Sequence, residues 1–427
     1  MPHEGAAEGI YDIAVVGGGA AGVMAAIRAA QLGRSVALIE RNDSIGRKIL
    51  ITGKGRCNLT NTAPVDVFIK NFGRQGEFLR SAFFLFFNDD LVEFFRAAGL
   101  ETKVERQGRV FPVTDSARSV VDVLKKRLAE NGIEVLYGAR LTGIRKAGDH
   151  FQLALEGRGD VRAKRVILAT GGASYKATGS TGDSFTIAET LGHKVVPLTP
   201  ALVPLKTKEK WVKDLQGLGL ENIRLTFECG RKKAISETGE LMFAHFGVSG
   251  PLVLDLSAKV LTMMDERQKR NEPVEANLFI DLKPGLSAEQ MEMRILKDFK
   301  AKGKTQFKNV MKGYLPQRLI EVFITLSGID AGKEVNQITL KERRSIIGLF
   351  KAFPLTITGS LPLEEAMVTG GGVSTSQIDP RTMESRVVPG LYFAGEMIDG
   401  CAASGGYNLQ QAFSTGYLAG EKAAKSV

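Results

Sequence analysis

A chain of 427 residues, 44% hydrophobic and 24% charged, carries enough apolar material for a buried core and a length that predicts two or three domains. Its first ten residues lack a basic start and an apolar run, and no unbroken apolar stretch of about 18 residues occurs. These features argue against a secretory leader and a membrane span and make the cytoplasm the expected location. Three widely spaced cysteines, Cys57, Cys229 and Cys401, form no C-x-x-C pair, which speaks against a disulfide framework, a zinc site and thiol redox chemistry.

The first element is an apolar strand, "DIAVV", which runs into Gly17-x-Gly19-x-x-Gly22 and then into a helix, "VMAAIRAAQLG". Gly17 permits the turn, Gly19 lets a pyrophosphate approach the backbone beside Ala20 and Ala21, and Gly22 allows helix and strand to pack closely. The next strand, "RSVALIE", ends on Glu40, 18 residues after Gly22, where a carboxylate can accept hydrogen bonds from a ribose diol and repel a 2′-phosphate. Strand, glycine turn, helix, second strand and acid in that order predict dinucleotide binding, and Arg41 joins the candidate residues.

The following segment, "RNDSIGRKILITGKGRCNLTN", stands where a simple dehydrogenase fold would continue into its next helix. Gly46, Arg47 and Lys48 are placed to contact the adenosine and pyrophosphate side of a large cofactor. Thr52, Gly53, Gly55, Arg56, Cys57 and Asn58 would lie near a flat ring; a basic surface loop is the plain alternative. In "SAFFLFFNDDLVEFFRAAGL", Phe83, Phe84, Phe87, Leu91, Phe94 and Phe95 fall on one helical stripe, expected to face the core, with a hydrophobic substrate channel as the alternative. "RVILATGGAS" reads as a strand that breaks at Thr170, Gly171 and Gly172, with Ala169, Thr170 and Gly171 among the candidate cofactor contacts.

Between this strand and the carboxyl-terminal segments, "IRLTFECGRKKAISETGELMFAHFGVSG" and "VEANLFIDLKP" alternate as strands, whereas Ser287 to Ala352 reads as several helices. The net charge of +10 is uneven: from Arg294 to Arg318 there are eight Lys and Arg against one acid, Asp298. Such a run is ordinarily a solvated face, with an anionic partner such as nucleic acid as the sharper alternative. Near the end, "GLYFAGEMID" is a strand stopping at Gly395 and Glu396 with Asp399 beyond it. "GGYNLQQAFSTG" then opens a helix at Gly406, Tyr407, Asn408 and Leu409. If the two glycine-rich stretches share one sheet, the first holds a diphosphate and the second closes over the ribityl chain and ring of FAD. The final helix would aim its amino end at the pyrimidine side of that ring. No second G-x-G-x-x-G unit follows, so no dedicated NAD(P)H domain is expected, although NAD(P)H could dock transiently as electron donor.

These segments, with "RVFPVTDSARSVVDVL", "VTGGGV" and "RTMESRVVPGLYFAGEMIDG", resemble the flavoprotein family that includes aminoacetone oxidases and the BaiN-type proteins proposed as dehydro-steroid reductases. The resemblance implies an α/β fold of the two-dinucleotide-binding-fold flavoprotein type. It places a discontinuous Rossmann-like FAD-binding domain at 1–197 and 356–427, an inserted β-rich subdomain at 198–286 and a small helical subdomain at 287–355. It also places the backbone near Leu141 against the adenine. The implied activity is hydride transfer between flavin and a small or hydrophobic organic substrate, by enone reduction or amine oxidation. A flavin-dependent nucleic-acid-binding or RNA-modifying protein is the alternative, and a flavin-storing or redox-sensing protein the plainest one. His245, Tyr407 and Arg56 are candidates for handling the substrate. A hydrogen-bonded structural role is the plainer expectation for His245, Tyr407 could equally pack on the ring, and Arg56 could serve the cofactor's phosphates. His3 lies in the amino-terminal tail.

Overall fold

The computed structural model describes residues 9–427, so His3 lies outside the described residues. The chain forms two compact units: one runs through Ala201 and resumes at Leu363–Val427, and the other is Leu202–Pro362.

The first unit is built on a sheet whose parallel part runs, in spatial order, Glu134–Leu136, Val36–Ile39, Tyr11–Val16, Val161–Leu168. Val, Ile, Leu and Ala make Val36–Ile39, most of Tyr11–Val16 and the last three residues of Val161–Leu168 apolar on both faces, as a buried parallel sheet requires. The strand Val161–Leu168 is shared. One edge pairs with Tyr11–Val16 along its length, while the other pairs antiparallel with His150–Leu155 at its start and parallel with Leu391–Phe393 at its end. Val166, Ile167 and Leu168 lie opposite Leu391, Tyr392 and Phe393, so a strand from the far end of the sequence joins the amino-terminal sheet.

The helices make the same junction. Ala20–Gln31 is so rich in alanine that Tyr407–Lys425 can lie almost backbone to backbone on it: a Cβ on Gly416 would sit 2.1 Å from the Ala21 carbonyl oxygen, and one on Gly420 2.3 Å from that of Ala25. The pairing is locked at its end by Arg28, whose guanidinium donates to the Glu421 carboxylate at 2.6 and 3.0 Å.

The phenylalanine-rich segment forms two helices, Gly76–Leu85 and Asn88–Arg96, instead of one continuous stripe. The break follows from Asp90, whose carboxylate accepts the Phe87 N–H at 2.8 Å and starts a new helix there. Phe83 and Phe95 are buried, but Phe84 is 68% exposed.

In the second unit a seven-stranded antiparallel sheet returns on itself, because the long strand Gly219–Cys229 pairs with Gly239–Ala244 in its first half and with Ala276–Asp281 in its second. Helices Ala288–Ala301, Gln317–Ser327 and Leu340–Lys351 bury Ile295, Phe323 and Phe350 in the core of this unit. No helix of the described residues is long and apolar enough to cross a membrane.

Candidate functional site

The four strands Tyr11–Val16, Val36–Ile39, Val161–Leu168 and Leu391–Phe393 run parallel, and the residues that follow their carboxyl ends line a single cavity in the first unit. Gly17 to Ala21, Glu40 to Asn42, Ala169 to Gly171, and Gly395 with Glu396 supply this rim. The cavity and its mouth enclose about 1350 Å³. Open α/β sheets bind ligands at this place because the loops leaving the strands diverge there.

Two helix amino termini contribute to it. Ala20–Gln31 starts at Gly19 and Tyr407–Lys425 at Gly406, and neither has a side-chain cap. Their first intrahelical bonds are Val23 N–H to Gly19 O and Gln410 N–H to Gly406 O, so the amides of Ala20 to Gly22 and of Asn408 and Leu409 make no intrahelical bond. Free amides and the positive end of the helix dipole make such a terminus receptive to negative charge. A Cβ on Gly19 would meet no protein atom within 4 Å, whereas one on Gly22 would lie 1.8 Å from Gly17 O. Gly19 thus faces the cavity and Gly22 is the packing glycine, which explains its absence from the lining.

Glu40 is buried at the rim. Its Oε2 accepts the Gly18 N–H at 2.7 Å, and its Oε1 accepts the backbone and side-chain amides of Asn42, both at 2.7 Å. Oε2, with a single donor, keeps acceptor capacity for a ribose hydroxyl. Arg41 donates to Asp183 at 3.3 Å, and Arg140 donates to the same oxygen at 2.6 Å, drawing together three segments of the lining. Burial pushes the Asp183 carboxyl upward, but Arg140, Thr181 and Arg41 outweigh it and hold it below the ordinary aspartate value.

Lys48 and Glu396 form an ion pair at 2.7 Å, with side chains 24% and 18% exposed. Lys48 also donates to Ser174 Oγ at 2.8 Å, and Glu396 accepts the Thr369 N–H at 2.7 Å and the Gly172 N–H at 3.3 Å. Burial drives the Glu396 carboxyl up; the Lys48 ammonium and these backbone amides overcome that and leave it ionised, below its ordinary value. The pair ties the loop after the first glycine-rich stretch to the second. On the final helix, Asn408 Oδ1 accepts the Ala402 N–H at 2.8 Å and Nδ2 donates to Ala402 O at 2.9 Å, folding the loop before the helix onto its start.

The lining therefore brings together Gly17, Gly19, Ala20, Ala21, Glu40, Arg41, Gly46, Arg47, Lys48, Thr52, Leu141, Ala169, Thr170, Gly171, Gly395, Glu396, Asn408 and Leu409. Other expected residues stand outside it. Gly53 and Gly55 are exposed in a loop, and Asn58 is not part of the lining. Arg56 is committed to Glu105 and Asp115, with its guanidinium 4.2 Å from the Phe111 ring centroid, which leaves its charge matched by protein carboxylates. Cys57 is fully buried, and burial raises its thiol to about 12; Cys401 rises to about 11 through burial, with Glu396 and Asp399 adding to the effect. Both thiols stay protonated at neutral pH. Asp399 accepts from Gln75 Nε2 at 2.9 Å, and burial raises its carboxyl; only its neighbour Gly400 reaches the lining. Gly406 and Tyr407 start the final helix without lining the cavity, and the Tyr407 ring packs edge-on to Phe68 at 4.6 Å. His245 belongs to the second unit, exposed in the turn between Gly239–Ala244 and Gly247–Ser249, edge-on to Phe246.

Sequence reasoning did not pick out Asn42, Arg140 or the lining segment from Thr178 to Ser184. For the last a signal existed: "TGSTGD" is a glycine-studded run ending in an acid at the start of helix Asp183–Thr190.

Known proteins carry the same pattern. The HI0933-like protein Rossmann domain matches residues 11–422. The chain belongs to this family. It is 33% identical to the 3-dehydro-bile acid delta(4,6)-reductase of Clostridium scindens over 97% of this chain and 99% of that protein. It is 31% identical to the ribosomal RNA dihydrouridine synthase of Haemophilus influenzae, over 94% of this chain and 96% of the other. Among solved structures, 3-ketosteroid delta1-dehydrogenase from Sterolibacterium denitrificans shares the fold, with a TM-score of 0.53 at 16% identity, covering 98% of this chain and 100% of that one.

Proposed function

We propose that this oxidoreductase binds FAD in the first unit's cavity and uses it to saturate a carbon–carbon double bond conjugated to a carbonyl. The observation that carries the reading is the cavity itself: two uncapped helix amino termini, a rim carboxylate and four strand ends converge on one space. The donor set suits FAD part by part. The amides at Gly19 to Ala21 would take the diphosphate, and Glu40 the adenosine ribose. The amino end of Tyr407–Lys425, at Asn408 and Leu409, would favour negative charge on the pyrimidine side of the ring. Bound there and reduced by NAD(P)H, the flavin would supply a hydride to the substrate. The chain's own part is to position the ring, exclude water and keep Glu396 charged at a distance fixed by Lys48.

The choice of an activated double bond draws on the relatives. A 3-dehydro delta(4,6) bile acid presents double bonds conjugated to its 3-oxo group, and dihydrouridine is uridine saturated at the bond conjugated to its C4 carbonyl. In both, saturation would add a hydride at the carbon made electrophilic by that carbonyl and a proton, ultimately from solvent, at its neighbour. Anaerobic stopped-flow spectroscopy tests the reading. NAD(P)H should bleach the flavin band, and a conjugated enone or a uridine-containing RNA should restore it without oxygen. Bleaching by a primary amine, with recovery only on admitting oxygen, would instead establish an oxidase.

A further inference from the structure

The chain's positive charge is concentrated in the second unit, where residues 202–362 hold 26 Lys and Arg against 19 Asp and Glu, a net +7 of the total +10. Within it, helix Ala288–Ala301, the short helix Phe307–Met311 and the turns after each present Lys297, Lys300, Lys302, Lys304, Lys308 and Lys312, all exposed. None of the six has a carboxylate within ion-pair distance among the described residues. Paired lysines elsewhere in the unit include Lys208 with Glu275, Lys232 with Glu266 and Lys333 with Glu342.

The local acids are otherwise engaged. Asp298, the single acid of the stretch, accepts the Tyr314 hydroxyl at 2.5 Å, and Glu292 is held by Arg343 at 3.0 Å. Asp330 accepts the Gly332 N–H at 2.8 Å, and Glu334 lies on the segment hydrogen-bonded to Thr305 and Phe307. A neutral donor does not cancel a carboxylate's charge, so Asp298, Asp330 and Glu334 stand against the six lysines, and the surface keeps an excess of positive charge. Beside it, Met293 is 63% and Leu296 40% exposed, giving apolar contact area next to the charges.

We propose that this surface docks RNA through its phosphates, so that the second unit holds the polynucleotide whose uridine is the substrate. The proposal rests on the reading of the chain as a reductase of a carbonyl-conjugated double bond, of which uridine is one. Charge complementarity favours RNA over a steroid, which offers at most one anion to six lysines. It also favours RNA over a lipid surface: Met291, Ile295 and Phe299 of Ala288–Ala301 are buried in the core, which leaves only Met293 and Leu296 of that helix to meet acyl chains.

The test uses the full-length flavin-loaded protein and a fluorescein-labelled hairpin transcribed from ribosomal RNA, with binding followed by anisotropy at several salt concentrations. Neutralising six phosphates predicts a slope of log affinity on log salt of about −4 to −5, from about 0.7–0.9 per contact. The quadruple variant K297Q/K300Q/K304Q/K308Q, altered only at exposed positions, should lose about 3 from that slope and tenfold or more in affinity at 0.1 M salt. Its flavin content and its anaerobic bleaching by NAD(P)H should match the parent protein. Unchanged RNA binding by the variant overturns the proposal, as does tighter binding of the parent to phosphatidylglycerol vesicles than to the hairpin. A parent protein that NAD(P)H fails to bleach refutes the reductase reading separately, whatever the hairpin does.

Discussion

Two glycines three residues apart have opposite tasks in the first unit, and exchanging each for alanine separates cofactor binding from folding. Gly19 has φ −82° and ψ −173°, which any residue adopts, and its added Cβ would meet no protein atom within 4 Å. Gly19→Ala should therefore cost the apoprotein only the difference between glycine and alanine at a helix cap, about 0.5–1 kcal/mol. The same methyl would stand in the space assigned to the diphosphate. Overpacking of about 1–3 kcal/mol there corresponds to a 5- to 150-fold rise in the FAD dissociation constant. At Gly22 the Cβ would lie 1.8 Å from Gly17 O, so the helix must move off its strand. Gly22→Ala should lose more than about 3 kcal/mol with or without cofactor. Thermal denaturation of the apoproteins and titration with FAD, followed by quenching of flavin fluorescence, read the two effects. A Gly19→Ala protein that binds FAD as tightly as the parent would refute the diphosphate assignment, and a Gly22→Ala protein as stable as the parent would refute the packing argument.

Three further outcomes are expected. Lys48→Met strands the Glu396 carboxylate among backbone amides and should cost about 2–4 kcal/mol, the figure for a buried pair discounted for partial exposure. Adding Glu396→Gln should recover part of that loss in urea denaturation, and no recovery would show that the two residues are not coupled. Gly416→Ala gains about 1 kcal/mol of helix propensity, yet places a Cβ 2.1 Å from Ala21 O, so a lower melting temperature is expected and a higher one would contradict the close helix contact. In the second unit, hydrogen bonds from Lys333 and Thr339 hold Glu342 down from its ordinary 4.5 to about 2. A carboxylate depressed by folding contributes stability fully above pH 4.5 and loses it as the pH falls toward 2. The melting-temperature gap between the parent and Glu342→Gln should close across that window, and a constant gap would remove the ion pair as its cause.

What could be read from the sequence was chemistry confined to a few consecutive residues. The strand, glycine turn and helix at Tyr11–Gln31 follow from local sterics alone, as do the capped helices of the second unit, where Ser287 and Thr339 announce their starts. The break at Phe87 also had a local signal, "NDD", but the apolar period across it was the louder one. Contacts made by distant residues had no such signature. Arg56 sits in a basic loop, and only folding brings Glu105 and Asp115, 49 and 59 residues away, onto its guanidinium. Arg140 and Asp183 are separated by 43 residues and unremarkable by themselves; their role in the rim depends on the loops that carry them. Gly416 and Gly420 read as interruptions of a helix until Ala21 and Ala25 are seen against them.

The central claim is that both ends of the chain build one cradle for FAD. The most direct measurement is the cofactor content of the purified protein, taken from its visible spectrum and from identification of the molecule released on denaturation. The purified protein should be yellow and release one FAD per chain. Protein that is colourless and takes up no added FAD, or that releases a different nucleotide, would contradict it.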